Sequence, residues 1–181
     1  MRYHDITKDD MLNGDGLRTV LWVAGCCHGC KGCQNPVTWD IEGGLPFDGE
    51  ARAELFAELE KPYISGVTLS GGDPLHPANR EETGALMKEM KERFPDKTIW
   101  LYTGYDWDQV KDLPYIGFAD VLVDGRFVEE LKDEDAFSCA CYLDEQGNRP
   151  AQGEVLSWAE SSATVGSPAA DAGAGSPANA P

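Results

Sequence analysis

The stretch Val20-Leu21-Trp22-Val23-Ala24-Gly25-Cys26-Cys27-His28-Gly29-Cys30-Lys31-Gly32-Cys33 decides the fold. Its first four residues are a short β-branched and aromatic run bounded by Gly16 and Gly25, the pattern of a buried strand. The pattern recurs in Val67-Thr68-Leu69, between Gly66 and Gly71-Gly72, and in Thr98-Ile99-Trp100-Leu101-Tyr102, which ends at Gly104. It appears again in Val121-Leu122-Val123, which ends at Gly125. Between the first two runs, residues 50–60 place Ala51, Leu55, Phe56 and Leu59 on one helical face, with Pro62 as a stop. Between the second and third, Asn79 is the expected N-cap, Glu82 stands at the third helical position, and Leu86, Met87, Met90 and Phe94 form the apolar stripe before Pro95. Residues 106–113 are a candidate for a shorter helix. Strands alternating with helices imply parallel β-α units, so the expected class is α/β.

The chain has 181 residues, enough for a single core and too few for two complete domains. Residues 1–160 are expected to form that domain. Residues 161–181 consist of Ala, Gly, Ser, Pro and a few others, with Asp171 the single charge, and are expected to remain a flexible tail because they offer little apolar area against the entropy of ordering. Asp and Glu outnumber Lys and Arg by 32 to 15, and the net charge of -17 repels phosphate backbones and anionic lipid, which argues against nucleic acid and membrane as partners. The longest apolar stretch falls far short of the roughly 20 residues of a membrane span, and the start, Met1-Arg2-Tyr3-His4-Asp5, lacks the apolar core of a signal peptide. A cytoplasmic location is expected.

Four of the six cysteines lie within eight residues, and in a reducing compartment such crowding points to a metal or to redox chemistry. Cys139 and Cys141, far downstream, read as incidental thiols. In a parallel α/β sheet ligands gather at the carboxyl ends of the strands, and every unusual motif falls there. The cysteine loop with its C-x3-C-x2-C spacing follows the first run, Ser70-Gly71-Gly72-Asp73-Pro74 the second, Thr103-Gly104-Tyr105 the third and Asp124-Gly125-Arg126 the fourth. Three thiolates leave an open coordination position on a cubane cluster, which normally takes four cysteines. A closed zinc site remains the alternative, with Cys27, His28, Cys139 or Cys141 as fourth ligand. The Gly-Gly pair reads either as a strand-ending turn or as a place where backbone carbonyls and amides approach a ligand, an ammonium group in particular. His4, His28 and His76 read as loop or packing residues, Trp22, Trp39 and Trp100 as core. Arg18 and Arg126 are placed near the rim, to hold a carboxylate, dock a partner or form a surface ion pair.

Taken together, the C-x3-C-x2-C loop and Gly-Gly-Asp-Pro resemble the radical S-adenosylmethionine enzymes. The finer pattern is similar to the glycyl-radical activases of anaerobic ribonucleoside-triphosphate reductases. That pattern includes Asn13-Gly14-Asp15-Gly16-Leu17-Arg18, Asn35 and Trp39, Leu69 to Pro77, Ile99 to Tyr105 and Asp120 to Phe127. The resemblance covers residues 3–133 and implies a partial parallel (βα) barrel of the radical SAM type. A complete eightfold barrel would need about 250 residues. It further implies that Cys26, Cys30 and Cys33 hold a [4Fe-4S] cluster whose fourth iron binds S-adenosylmethionine, with no protein residue catalytic in its own right. Gly71, Gly72 and Asp73 match the loop at the methionine end of the cofactor, and Gly32, Cys33 and Gln34 the segment beside its nucleotide. An electron from a low-potential donor, passed through the cluster, would release methionine and a 5′-deoxyadenosyl radical, which takes a hydrogen from a glycine of the reductase. Pyruvate formate-lyase or another glycyl-radical enzyme is the alternative partner, and a zinc or thiol redox module the alternative class. The chain departs from the family at Gln34, where an aromatic residue is usual, and after Asp133, where Phe137-Ser138-Cys139-Ala140-Cys141-Tyr142 replaces an Arg-Gly-Ser-Ser-Asn-Gln-like segment.

Overall fold

The computed structural model describes residues 1–129 and 140–143, with residues 140–142 described by their backbone alone. The expectations for Cys139, the Cys141 side chain, the divergent segment after Asp133 and the tail 161–181 lie outside the described residues. In chain order the strands are β1 (Arg2–Asp10), β2 (Arg18–Val23), β3 (Leu45–Pro46), β4 (Gly66–Gly71), β5 (Thr98–Tyr102), β6 (Val121–Val123) and β7 (Ala140–Tyr142). The helices are α1 (Gly49–Leu59), between β3 and β4, α2 (Arg80–Arg93), between β4 and β5, and α3 (Trp107–Val110), between β5 and β6. The class is α/β.

One seven-stranded sheet runs in the order β3-β1-β2-β4-β5-β6-β7. Its centre, β2 to β6, is parallel, as the β-α alternation requires. The flanks correct the all-parallel expectation: β1 is antiparallel to β2, β3 to β1 and β7 to β6, so the described sheet is mixed and open. The parallel register aligns Leu21, Leu69, Leu101 and Leu122 in one row across all four central strands. Each is at most 1% exposed, packed with Leu55, Phe56 and Leu59 of α1 and Leu86, Met87 and Met90 of α2. Burying a leucine side chain stabilises by about 1.5–3 kcal/mol, so this row is a major part of what fixes the register.

On the opposite face the aligned row is Val20, Thr68, Trp100 and Val121. The β1-β2 connection covers its lower part. Thr68 Oγ1 donates to the Asn13 carbonyl at 2.6 Å, and Gly14, at φ +126°, lies so close to the Trp100 ring that a Cβ there would sit 2.7 Å from it. Arg18 is fully buried at the start of β2, at the strand end opposite the cysteine loop, which corrects its expected place at the rim. Trp100 is buried as expected, whereas Trp22 is only partly buried and Trp39 is 39% exposed.

Helix ends show where local and tertiary demands compete. Asp48 caps α1 by accepting from the Glu50 and Ala51 amides. Asn79 stands at the N-cap of α2, yet its side chain makes no cap bond; its Nδ2 donates instead to the carbonyls of Ala24 and Asp73. Glu82 pairs with the amino terminus of Met1 rather than closing a capping box.

Candidate functional site

The parallel register brings the carboxyl ends of β2, β4, β5 and β6 side by side, and the four loops singled out above meet there. β2 runs into Gly25, whose φ of +102° turns the chain and which a side chain would drive into Ile41 at 2.3 Å. The cysteine loop is then closed like a purse: Gly25 N–H donates to the Thr38 carbonyl at 2.7 Å and Cys26 N–H to the Trp39 carbonyl at 3.0 Å. Inside this closure Cys33 N–H donates to the Cys30 carbonyl, and Asn35 N–H points at Cys33 Sγ at 3.4 Å. Gly29 and Gly32 adopt left-handed conformations that bend the loop.

Cys26, Cys30 and Cys33 are half-buried and Cys27 is exposed. Burial is the largest influence on Cys26 and pushes its thiol pKa up. Among the described residues no three His, Cys, Asp or Glu side chains are gathered closely enough to hold a metal ion. A zinc centre needs its sulfurs about 2.3 Å from one ion. The thiolates of a cubane each hold a different iron. Three partly accessible thiols on one bent loop, one receiving an N–H bond, fit the cluster by the chemistry of the donor set.

The Gly-Gly loop is sewn to the cysteine loop through the backbone. Gly72 N–H donates to the Val23 carbonyl and Asp73 N–H to the Gly25 carbonyl, at 2.8 and 2.7 Å. A Cβ on Gly71 would lie 2.7 Å from Val23 N, and one on Gly72 2.5 Å from Gly25 O and 2.8 Å from Thr38 O. Both glycines are thus demanded by the close approach of backbone segments, whatever else the loop binds. Asp73 is fully buried. Its carboxylate accepts from Leu75 N–H at 2.8 Å, Thr103 O–H at 3.0 Å and Gly104 N–H at 3.1 Å, and it meets His28 Nε2 at 2.5 Å. With its side chain committed in this way, Asp73 offers a ligand its surroundings rather than its carboxylate. Gly32 lies against Glu129, which a Cβ would approach to 2.8 Å, and Gln34 is exposed on the outside of the loop.

Cys26, Cys30, Cys33, Gly71, Gly72 and Asp73 are therefore brought to one rim, with Gly32 and Gln34 on its outer side. From the sequence Thr103 falls in a rim loop, Asn79 at a helix start and His28 among loop or packing residues; the bonds that join Thr103, Asn79 and His28 to Asp73 were not foreseen. The polar residues just after β5 carried a signal for the first, since a strand end beside two unusual loops is where such a group belongs. Tyr105 also closes on the loop: its ring meets His28 edge-on at 4.7 Å, and its hydroxyl lies 3.5 Å from Cys27 Sγ. Burial, then the Cys27 neighbour, pushes the Tyr105 pKa up to about 12.

Comparison with known proteins agrees with this geometry. A family model described as a 4Fe-4S single cluster domain matches residues 12–140. A protein of Enterobacteria phage T4 is 46% identical over 131 residues, covering 72% of this chain and 84% of the phage protein. Proteins of Salmonella typhimurium and Escherichia coli K12 are 42% and 39% identical, each over 74% of this chain and 89% of their own length. All three are named anaerobic ribonucleoside-triphosphate reductase-activating protein. With relatives at this level of identity over about three quarters of the chain, and a 4Fe-4S family model spanning the cysteine loop and the strand ends around it, the chain belongs to the family of anaerobic ribonucleoside-triphosphate reductase-activating proteins.

Proposed function

We propose that this chain is a radical S-adenosylmethionine enzyme that generates a glycyl radical on an anaerobic ribonucleoside-triphosphate reductase. The observation that carries the reading is the loop with three half-buried thiols, closed at its base and hydrogen-bonded through the Gly25 carbonyl to Asp73 of the neighbouring strand end. Cys26, Cys30 and Cys33 would hold a [4Fe-4S] cluster, leaving one iron without a protein ligand. S-adenosylmethionine held beside that iron would supply the chemistry, a one-electron reductive cleavage that makes hydrogen removal from a glycine possible.

The protein's own part is placement. The backbone of Gly71, Gly72 and Asp73 would form the wall for the methionine end, and Gly32, Cys33 and Gln34 would border the nucleotide. Gln34, exposed in the free chain, would provide amide hydrogen bonds to a base edge. Four adjacent parallel strands with helices packed on one face are consistent with a partial barrel, and the edges at β3 and β7, unpaired with each other among the described residues, suit a macromolecular substrate. The net charge of -17 disfavours nucleic acid as a partner, and no helix among the described residues is long and apolar enough to cross a membrane. The reading also requires a low-potential electron donor and places the chain in the cytoplasm.

The test is anaerobic incubation of the iron-reconstituted chain with S-adenosylmethionine, reductant and the reductase, read by electron paramagnetic resonance. A glycyl radical on the reductase supports the proposal. A radical formed on pyruvate formate-lyase and not on the reductase would move it to the other partner. A colourless protein with zinc and no absorption bleached by dithionite would replace it with a closed metal site.

A further inference from the structure

His28 lies between two of the proposed cluster ligands, yet its ring turns away from solvent, with its side chain 5% exposed. Three contacts hold it. Its Nε2 meets Asp73 Oδ2 at 2.5 Å, its ring packs edge-on against Tyr105, and its Cδ2 lies over Gly104, where an added Cβ would be 2.4 Å away. The other partners of the Asp73 carboxylate, Leu75 N–H, Thr103 O–H and Gly104 N–H, are all donors, so the carboxylate acts as acceptor and His28 Nε2–H donates to it. Asp73 thereby joins three strand ends: its own after β4, Thr103 and Gly104 after β5, and His28 in the loop after β2.

We propose that His28 is a positioning residue that ties the middle of the cysteine loop to the buried Asp73 carboxylate, fixing where the thiols and the adjoining Gly-Gly wall stand relative to one another. The base of the loop is already held by Gly25 and Cys26 through Thr38 and Trp39. Those bonds constrain the ends of the loop and, apart from the turn bond from Cys33 N–H to the Cys30 carbonyl, leave the segment from Cys27 to Gly32 to be held by side chains. Within that segment, His28 reaches Asp73 and Cys27 reaches Tyr105, while Lys31 makes an exposed ion pair with Glu129. A surface pair of that kind holds a loop weakly. The buried, charge-assisted His28 bond is the strong tether. A glutamine at this position can present its terminal N–H₂ to Asp73 in place of the ring Nε2–H; a leucine fills the space and donates nothing.

This inference rests on the proposed cluster site for its consequence, though not for its first readout, which needs no cluster. Hydrogen exchange in the metal-free chain should show the amides of residues 27–32 exchanging about tenfold faster in His28→Leu, with His28→Gln within about threefold of wild type. Amides of α1 and the central strands should be unchanged in both variants. In the iron-reconstituted chain, His28→Leu should bind S-adenosylmethionine about tenfold more weakly and broaden the resonance of the reduced cluster, and His28→Gln should restore both. Unchanged loop exchange in His28→Leu would overturn the tether. A glutamine variant as defective as the leucine variant would overturn the hydrogen bond as its basis. Faster exchange with wild-type cofactor affinity and resonance would overturn its role in placing the site. Iron retained by Cys30→Ala would refute the cluster reading itself while leaving the exchange result standing.

Discussion

Two buried charges sit at opposite ends of the central strands and do different work. At the amino end, Arg18 donates from Nε to the Thr68 hydroxyl, from Nη1 to the Asp15 carbonyl and the Thr98 hydroxyl, and from Nη2 to the carbonyls of Val67 and Thr98. These partners belong to β4, β5 and the turn into β2, and the guanidinium also lies 5.5 Å from the Trp100 ring. At the carboxyl end, Asp73 takes its partners from loops. A charge locked among strands serves the scaffold, whereas a charge shared among loops holds a site in shape. The contrast agrees with the general division in parallel α/β folds, in which the carboxyl face carries chemistry and the amino face carries stability.

Changes at the two ends should therefore fail differently. The largest effect belongs to the rim: Cys30→Ala is expected to abolish iron retention and radical formation while shifting the melting temperature of the metal-free chain little, and Cys27→Ala should retain both activities. Iron analysis and calorimetry on the pair decide it, and a Cys30→Ala protein with full iron would erase the distinction. Next is Arg18→Leu, which leaves buried carbonyls and hydroxyls without their donor and is expected to cost about 3–5 kcal/mol in urea unfolding. Arg18→Lys should recover little, because a point charge cannot reach partners spread around a planar fork. A stable Arg18→Leu protein would show that the amino end is not the anchor.

Gly72→Val sharpens the comparison because it strikes the seam between rim and scaffold. Its side chain would meet the Gly25 and Thr38 carbonyls, so we expect a loss of about 2–4 kcal/mol together with weaker iron retention. Weakened cofactor binding with wild-type stability and iron content would show instead that the glycine serves only the approach of the ligand.

The smallest effect comes from a partly exposed charge on the helical side. Arg52 hydrogen-bonds Glu89 and holds its carboxyl below the usual range. A depressed carboxylate contributes stability above its unfolded pKa and loses it as pH falls through the folded value. Glu89→Gln should thus be slightly less stable than wild type near neutrality and converge with it in acid, a difference that solvent screening keeps small. A large difference in urea midpoints at neutral pH would contradict this ranking of buried over exposed charges.

Much of the central sheet was legible because β2, β4, β5 and β6 are apolar runs punctuated by glycine, and their observed ends lie within about two residues of the reading. β1 was not, because Arg2-Tyr3-His4-Asp5-Ile6-Thr7-Lys8-Asp9-Asp10 presents only Ile6 as a buried residue and otherwise looks like a charged loop. β3, two exposed residues, had even less signal. At the site, thiol spacing is local and visible, whereas His28 and Asp73 are 45 positions apart and meet only because β2 and β4 are neighbours. Asn79 illustrates the same limit. Its position as the residue preceding α2 was readable, but the carbonyls of Ala24 and Asp73 that claim its amide are set by tertiary packing.

The central claim is that Cys26, Cys30 and Cys33 leave one iron of a cluster open for S-adenosylmethionine. The most direct measurement is the resonance of the dithionite-reduced, iron-reconstituted chain, titrated anaerobically with the cofactor. A cluster signal that changes shape to saturation on titration, and that is lost in the Cys30→Ala variant, is the predicted result. A cluster signal indifferent to the cofactor would mean that all its irons are closed by protein ligands, and would contradict the account.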